Sequence, residues 1–147
     1  MDTKTDGFMK KYDYIIGIDP GTHTGLAVWT GLNLAQVQTL MIHEALLAVH
    51  DWNGLVNIFV RIEDARLRTW YGNDKGDRAK SQGVGSIKRD CAIWDDFCKD
   101  LGIDYEMVKP GRVKTKVTAA HFNQLTGWEN RTTEHSRDAA MLCWKYQ

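Results

Sequence analysis

The sequence predicts a single α/β domain with the element order β-β-β-α-β-α-β-α-α. Three observations predict it. Two compact apolar runs, Tyr14–Asp19 and Leu55–Glu63, each read as a buried strand and each end in an acid. Apolar residues recur at alternating steps of three and four from Val84 to Leu101, the stripe of a helix that covers a sheet. The 147 residues suit one domain, 43% apolar and 26% charged residues are ordinary for a chain that buries a core, and no repeat, linker or low-complexity segment divides it.

In chain order, Met1–Tyr12 is polar and lysine-bearing, without an apolar leader, so a disordered tail over 1–12 and a domain over 13–147 are expected. Tyr14–Asp19 (YIIGID) is the first strand; Pro20-Gly21-Thr22-His23-Thr24-Gly25 turns the chain into a second, Leu26–Trp29. Gly31 and Asn33 mark another turn ahead of Leu34–Met41, a weakly patterned third strand. Ile42–Trp52 reads as a helix stopped by Asn53-Gly54, and Leu55–Glu63 as the fourth strand. Thr69–Gly83 is polar and glycine-bearing, the composition of a loop. The stripe Val84, Ile87, Cys91, Trp94, Cys98 and Leu101 follows, closed by Gly102. Tyr105–Val108 is a short strand, Pro110-Gly111 a turn, and Thr118–Leu125 a helix closed by Thr126-Gly127. The last helix starts near Thr132 or Thr133, with Glu134 in its first turn, and runs to about Lys145.

Net charge is zero, which argues against indiscriminate coating of nucleic acid, but the signs are partitioned. Arg61–Arg89 holds eight basic residues against four acids. Lys109, Arg112, Lys114 and Lys116 form a second basic group, whereas Asp90–Glu106 carries six acids against Lys99 alone. A phosphate-facing side and an acidic far side are one reading, solvated loops the other. Cys91, Cys98 and Cys143 are odd in number and lack C-x-x-C spacing, so they read as small core residues. No apolar run approaches a membrane span, and a cytoplasmic location without membrane partners is expected.

Hydrolysis of a phosphodiester needs a nucleophilic water and charge neutralisation at the leaving oxygen, which two divalent metals supply. Hard cations such as Mg²⁺ take one or two carboxylates plus waters and phosphates, so the signature is a few acids at the ends of neighbouring elements. Asp19 ends the first strand, Glu63 the fourth, and Asp138 lies one turn into the last helix with His135 three residues earlier on the same face. Taken singly, each has a plain alternative: a turn-initiating aspartate, a solvated strand end, an exposed helical pair. Together they are less ordinary, because charges rarely follow buried runs without partners. Asp64 competes with Glu63, since strand alternation points one inward and the other away. Glu63 is preferred because it follows directly on the apolar run.

At these residues the chain resembles a family. Ile18-Asp19-Pro20-Gly21 with Gly25, Ile62-Glu63 at a strand end, Gly83-Val84-Gly85 before the middle helix, Val113-Lys114 after the short strand, and His135-Ser136-Arg137-Asp138-Ala139-Ala140 opening the last helix are together similar to the RuvC-type Holliday junction resolvases of the RNase H-like superfamily, especially small phage-encoded members. The resemblance implies an RNase H-like fold, a mixed five-stranded sheet with three antiparallel strands plus two parallel ones, flanked by helices. It implies that Asp19 bridges the metals, that Glu63 and Asp138 complete the carboxylate set, and that His135 stands where members carry a histidine or an aspartate. Lys114 falls where members carry a basic residue beside the site. The implied cofactor is Mg²⁺ in a two-metal site, with Mn²⁺ an alternative.

The implied activity is metal-dependent endonucleolytic cleavage of branched DNA, resolving four-way junctions by paired nicks, and the implied assembly is a homodimer, since a junction is nearly two-fold. In that assembly the helix from Val84 to Leu101 lies at or near the contact, with Trp94 expected at its boundary. Arg66, Arg68, Lys88, Arg89, Lys114 and Lys116 are the candidate DNA contacts. The family often has an aromatic residue where this chain has Arg66; Trp70 and Tyr71, further along, are candidates to stack on opened bases, with packing under the loop the alternative. The D-x-G-T-x-x-G pattern of sugar kinases and actin-like ATPases also fits Asp19–Gly25, but those proteins place nucleotide between two domains. A non-cleaving DNA-structure-binding protein and a ribonuclease H for RNA–DNA hybrids are the competing functions.

Overall fold

The computed structural model describes residues 11–68, 78–111 and 116–146, with the side chains of 78–82 excepted. Trp70, Tyr71 and Lys114 lie outside them. The elements are β1 (Tyr14–Asp19), β2 (His23–Thr30), β3 (Asn33–Met41), α1 (Ile42–Asn53), β4 (Ile58–Glu63), a 3₁₀ turn (Ala65–Leu67), α2 (Arg78–Asp100), β5 (Asp104–Val108), α3 (Ala119–Thr126) and α4 (Glu134–Leu142). The strands form one sheet in the order β3-β2-β1-β4-β5. The first three are antiparallel, and β4 and β5 join parallel to β1. This is the expected mixed sheet of three antiparallel and two parallel strands.

Strand alternation sorts each apolar run onto two faces. Ile16, Ile18, Leu26, Val28, Val60 and Ile62 point to the face covered by α1 and α2, where Ala45, Val49, Trp94 and Cys98 complete a fully buried core. Each such large apolar side chain contributes about 1.5–3 kcal/mol on burial. On the opposite face, Ala27 packs with Phe122, Ala139 and Ala140, and Ile15 and Trp29 pack with Cys143, so α3 and α4 lie there. All three cysteines are buried and unbridged, and burial pushes the thiols of Cys98 and Cys143 up to about 12.

Differences from expectation fall at element ends. β2 begins at His23, three residues early, because it pairs with β3 as far as Met41. β4 begins at Ile58 rather than Leu55, since the amides of Leu55 and Val56 bond back to the Trp52 carbonyl and prolong the exit from α1. α2 begins at Arg78, inside the stretch expected to be a loop, whose residues 69–77 lie outside the described ones. α4 stops at Leu142, ahead of Lys145, a residue with positive φ (57°) that no helix accommodates. Trp94 has no exposed surface and packs edge-on against Phe97, so it cannot stand at the boundary of a partner contact. Its ring instead fills the space between α2 and the sheet. The Tyr12 hydroxyl donates to Asp104 at 2.7 Å and its ring packs on Phe59. No helix among the described residues is long and apolar enough to cross a membrane.

Candidate active site

Asp19 and Glu63 stand at the carboxyl ends of β1 and β4, the edge at which open α/β sheets ordinarily take ligands. Ile18 and Ile62 are register partners on β1 and β4, so Asp19 and Glu63 stand one step beyond them on adjoining strands, about 4.8 Å apart in strand spacing. Their neighbours two residues back, Gly17 and Arg61, face α4: Gly17 lies under the Ala139 carbonyl and Arg61 donates to the Leu142 carbonyl. Asp19 and Glu63 therefore share the α4 face.

Two glycines let α4 approach so closely. A Cβ on Gly17 would stand 2.0 Å from the Ala139 oxygen, and one on Gly25 would stand 2.0 Å from the His135 oxygen and 3.2 Å from the Asp19 Cβ. No larger residue fits either place without moving the helix. The Trp29 indole donates to the Ala140 carbonyl at 3.0 Å, fixing the helix along its length. At its start Thr133 and Ser136 cap reciprocally, each hydroxyl accepting from the other residue's amide at 2.9–3.1 Å. The α4 backbone thus carries His135 to the end of β1.

Asp19, 8% exposed, meets His135 there, with 3.1 Å between Oδ2 and Nδ1. Asp138 sits one turn further along α4, half-buried, and Glu63 is half-buried on β4. Among the described residues no three His, Cys, Asp or Glu side chains are gathered tightly enough to form a ready cage. Of the four ligands expected from the sequence, Asp19 and His135 are in direct contact. The donor chemistry still fits a hard divalent cation, which needs only one or two protein carboxylates, and Asp19 with Glu63 would hold it.

Asp64, the competitor of Glu63, has partners of its own. That carboxylate is 1% exposed, caps the 3₁₀ turn by accepting from the Arg66 amide at 3.0 Å, and takes the Arg66 guanidinium at 2.8–3.1 Å. Burial alone would push its carboxyl up, but the hydrogen bonds and charge of Arg66 outweigh that and hold it below the usual carboxylate range. Asp64 is committed to structure, which leaves Glu63 as the candidate acid.

The basic candidates are distributed around the same edge. Arg68 is exposed at the end of the 3₁₀ turn; Lys88 is half-buried on α2; exposed Arg89 bonds to Ser86 at 3.1 Å and lies 3.7 Å from Asp90. Lys116 pairs with Glu134 in the first turn of α4. The strand β5 ends at Val108 beside Glu63, and Lys109 follows it. Arg137, on α4, donates to the carbonyls of Val117 and Thr132 and ties both residues to the helix. A cavity of about 230 Å³ lined by Tyr12, Asn57 and Asp104 opens at the opposite strand ends and belongs to no candidate residue. Gly17 and Arg61 are contributors that sequence reasoning passed over. Both carried a signal, a glycine and an arginine inside otherwise apolar runs.

The mixed sheet and its flanking helices define an RNase H-like α/β fold. Among solved structures the chain is similar to T. thermophilus RuvC in complex with Holliday junction substrate, with a TM-score of 0.57 and 19% sequence identity over 89% of this chain and 90% of that one. No protein-family model matches the chain, and no curated protein matches it significantly.

Proposed function

We propose that the chain is a divalent-metal-dependent endodeoxyribonuclease acting on branched DNA, a crossover junction endonuclease that resolves four-way junctions by paired symmetric nicks. The observation that carries this reading is the shielded Asp19 carboxylate at the end of β1, bonded to His135 of α4 and flanked by Glu63 of β4. The fold likeness to a protein solved with a Holliday junction supports the substrate class. A bound Mg²⁺ or Mn²⁺ pair would activate a water and offset the charge that develops on the leaving oxygen. Asp19 and Glu63 supply oxygen donors, and Asp138 adds a third carboxylate from α4. His135 faces the Asp19 carboxylate through Nδ1, so Nε2 is the nitrogen that would serve as a ligand atom. In the reaction water adds to phosphorus, one phosphorus–oxygen bond breaks, and the departing oxygen takes up a proton. Lys114, with Arg68, Lys88, Arg89 and Lys116, serves the phosphates. Two matched cuts call for two copies of the chain, a homodimer.

One observation favours a second reading: the lack of a gathered three-residue cluster among the described residues suits a non-cleaving junction binder. A single assay separates these. Four-way junction, flap, plain duplex and RNA–DNA hybrid are incubated with Mg²⁺, with Mn²⁺ and with chelator. Symmetric nicking of the junction that chelator abolishes is the expected result; preferred cleavage of the hybrid would make the protein a ribonuclease H, and binding without cleavage in either metal would make it a binder.

A further inference from the structure

We infer that Arg66 is a positioning residue of the candidate site, a clamp that bolts the end of β4 to α2 and so holds Glu63 in place, rather than a contact to DNA. The inference rests on the reading of Glu63 as a metal ligand given above. Its grounds are geometric. Arg66 reaches back to Asp64 with Nε at 2.9 and 3.1 Å and Nη2 at 2.8 Å, and the same Nη2 reaches across to Asp95 of α2 at 2.9 Å. Asp95 in turn accepts from the Tyr105 hydroxyl of β5 at 2.6 Å and lies 3.4 Å from Lys99. The residues after Glu63 are thereby tied to two other elements. The Asp64 amide bonds to the Val108 carbonyl at 2.8 Å, and the Cys91 thiol of α2 lies 3.6 Å from the Glu63 carbonyl, so the same two elements also hold the backbone on either side of the Glu63–Asp64 peptide.

Electrostatics keeps Arg66 where it is. Asp64 is 1% exposed, and a carboxylate so removed from water requires its partner. Were Arg66 to leave for a phosphate, it would strand that buried charge and loosen Asp95 as well, whereas a phosphate contact returns only a partly solvent-screened ion pair. The planar fork is what bridges two carboxylates at once, and a lysine, a point charge, cannot.

The test compares the full chain with Arg66→Lys and Arg66→Ala in three measurements. Junction binding is titrated against salt in chelator, where nothing is cut. Amide hydrogen exchange is followed at residues 63–68. The Mg²⁺ concentration for half-maximal cleavage is measured on the same junction. A clamp predicts junction affinity and salt slope unchanged in both variants, exchange faster by about tenfold or more in Arg66→Ala and by less in Arg66→Lys, and a half-saturating Mg²⁺ raised several-fold, with the rate recovering as metal saturates. A salt slope lowered by about 0.9, with exchange at 63–68 unchanged, would make Arg66 a phosphate contact and overturn the inference. If Arg66→Ala fails to fold, Arg66→Lys and Asp95→Asn, which breaks only the outer half of the clamp, decide by the same exchange and slope criteria. Should the parent chain cut nothing in either metal, the nuclease reading falls, while exchange and salt slope still settle whether Arg66 is clamp or contact.

Discussion

Asp19, Glu63 and Asp138 are exposed to a direct test at the level of single atoms. Asp19→Asn, Glu63→Gln and Asp138→Asn keep shape but remove the charge that a metal requires, so each should abolish junction cleavage while junction binding in chelator persists. Full activity in any one of them takes that residue out of the set. Asp95 offers a different kind of test, in stability. The Tyr105 hydroxyl, with Arg66 and Lys99, holds its carboxyl below the usual carboxylate range. A carboxylate whose folded pKa is depressed contributes stability above its unfolded pKa of about 3.9 and loses it as pH falls through the folded value. Urea unfolding between pH 7 and pH 3 should therefore show an acid limb that is shallower in Asp95→Asn; parallel limbs would show that the Asp95 contacts add nothing.

The element that decides the site is α4, and what decides α4 is the absence of two side chains. Because a Cβ at Gly25 would meet the His135 oxygen and the Asp19 Cβ, Gly25→Ala should displace the start of the helix and cost about 1–3 kcal/mol, with cleavage lost well before the fold. Gly17→Ala presses on Ala139, one residue past Asp138, and should act similarly. Thermal melts together with junction cleavage check both; a Gly25→Ala protein that cuts like the parent would show that the helix can shift without consequence for Asp19 and His135. The neighbouring α3 illustrates the opposite case, an element legible from local signals: Thr118 caps it through the His121 amide at 3.2 Å, and Gly127 ends it with φ 76°.

For the molecule as a whole, a net charge of zero conceals a partition along the chain: Asp90–Glu106 carries six acids against Lys99 alone, whereas Arg68 and Lys109 follow the ends of the 3₁₀ turn and β5. If the basic residues meet phosphate, Lys116→Ala and Arg89→Ala should each lower the slope of log affinity against log salt by about 0.9. Salt titrations that overlay the parent curve would show these charges to be solvated surface. The pair between Lys116 and Glu134 is half-exposed, so losing it should cost little stability, about 0–1 kcal/mol. A homodimer makes a further demand. Since Trp94 is buried, the contact must come from surface such as Ile87 and Ile93 on α2, which are 41% and 38% exposed. Sedimentation with and without junction DNA should show a dimer at micromolar concentration, and a monomer under both conditions would defeat paired cutting.

The sequence by itself determined the order and type of the elements, the acids that end β1 and β4, and the first-turn cap of α4. These depend on neighbours two to four residues apart, where alternation, helical spacing and capping chemistry are written locally. Tertiary structure decided what those elements meet. That Asp64 is tied down by a partner depended on Arg66 and, through it, on Asp95 of α2, twenty-nine residues from Arg66. How near α4 stands to Asp19 depended on Gly17 and Gly25, more than a hundred residues before it. Whether Trp94 faced a partner or the core depended on the sheet beneath it. A charge is buried only where a partner arrives and a glycine matters only where a backbone approaches, and both events belong to packing between distant segments.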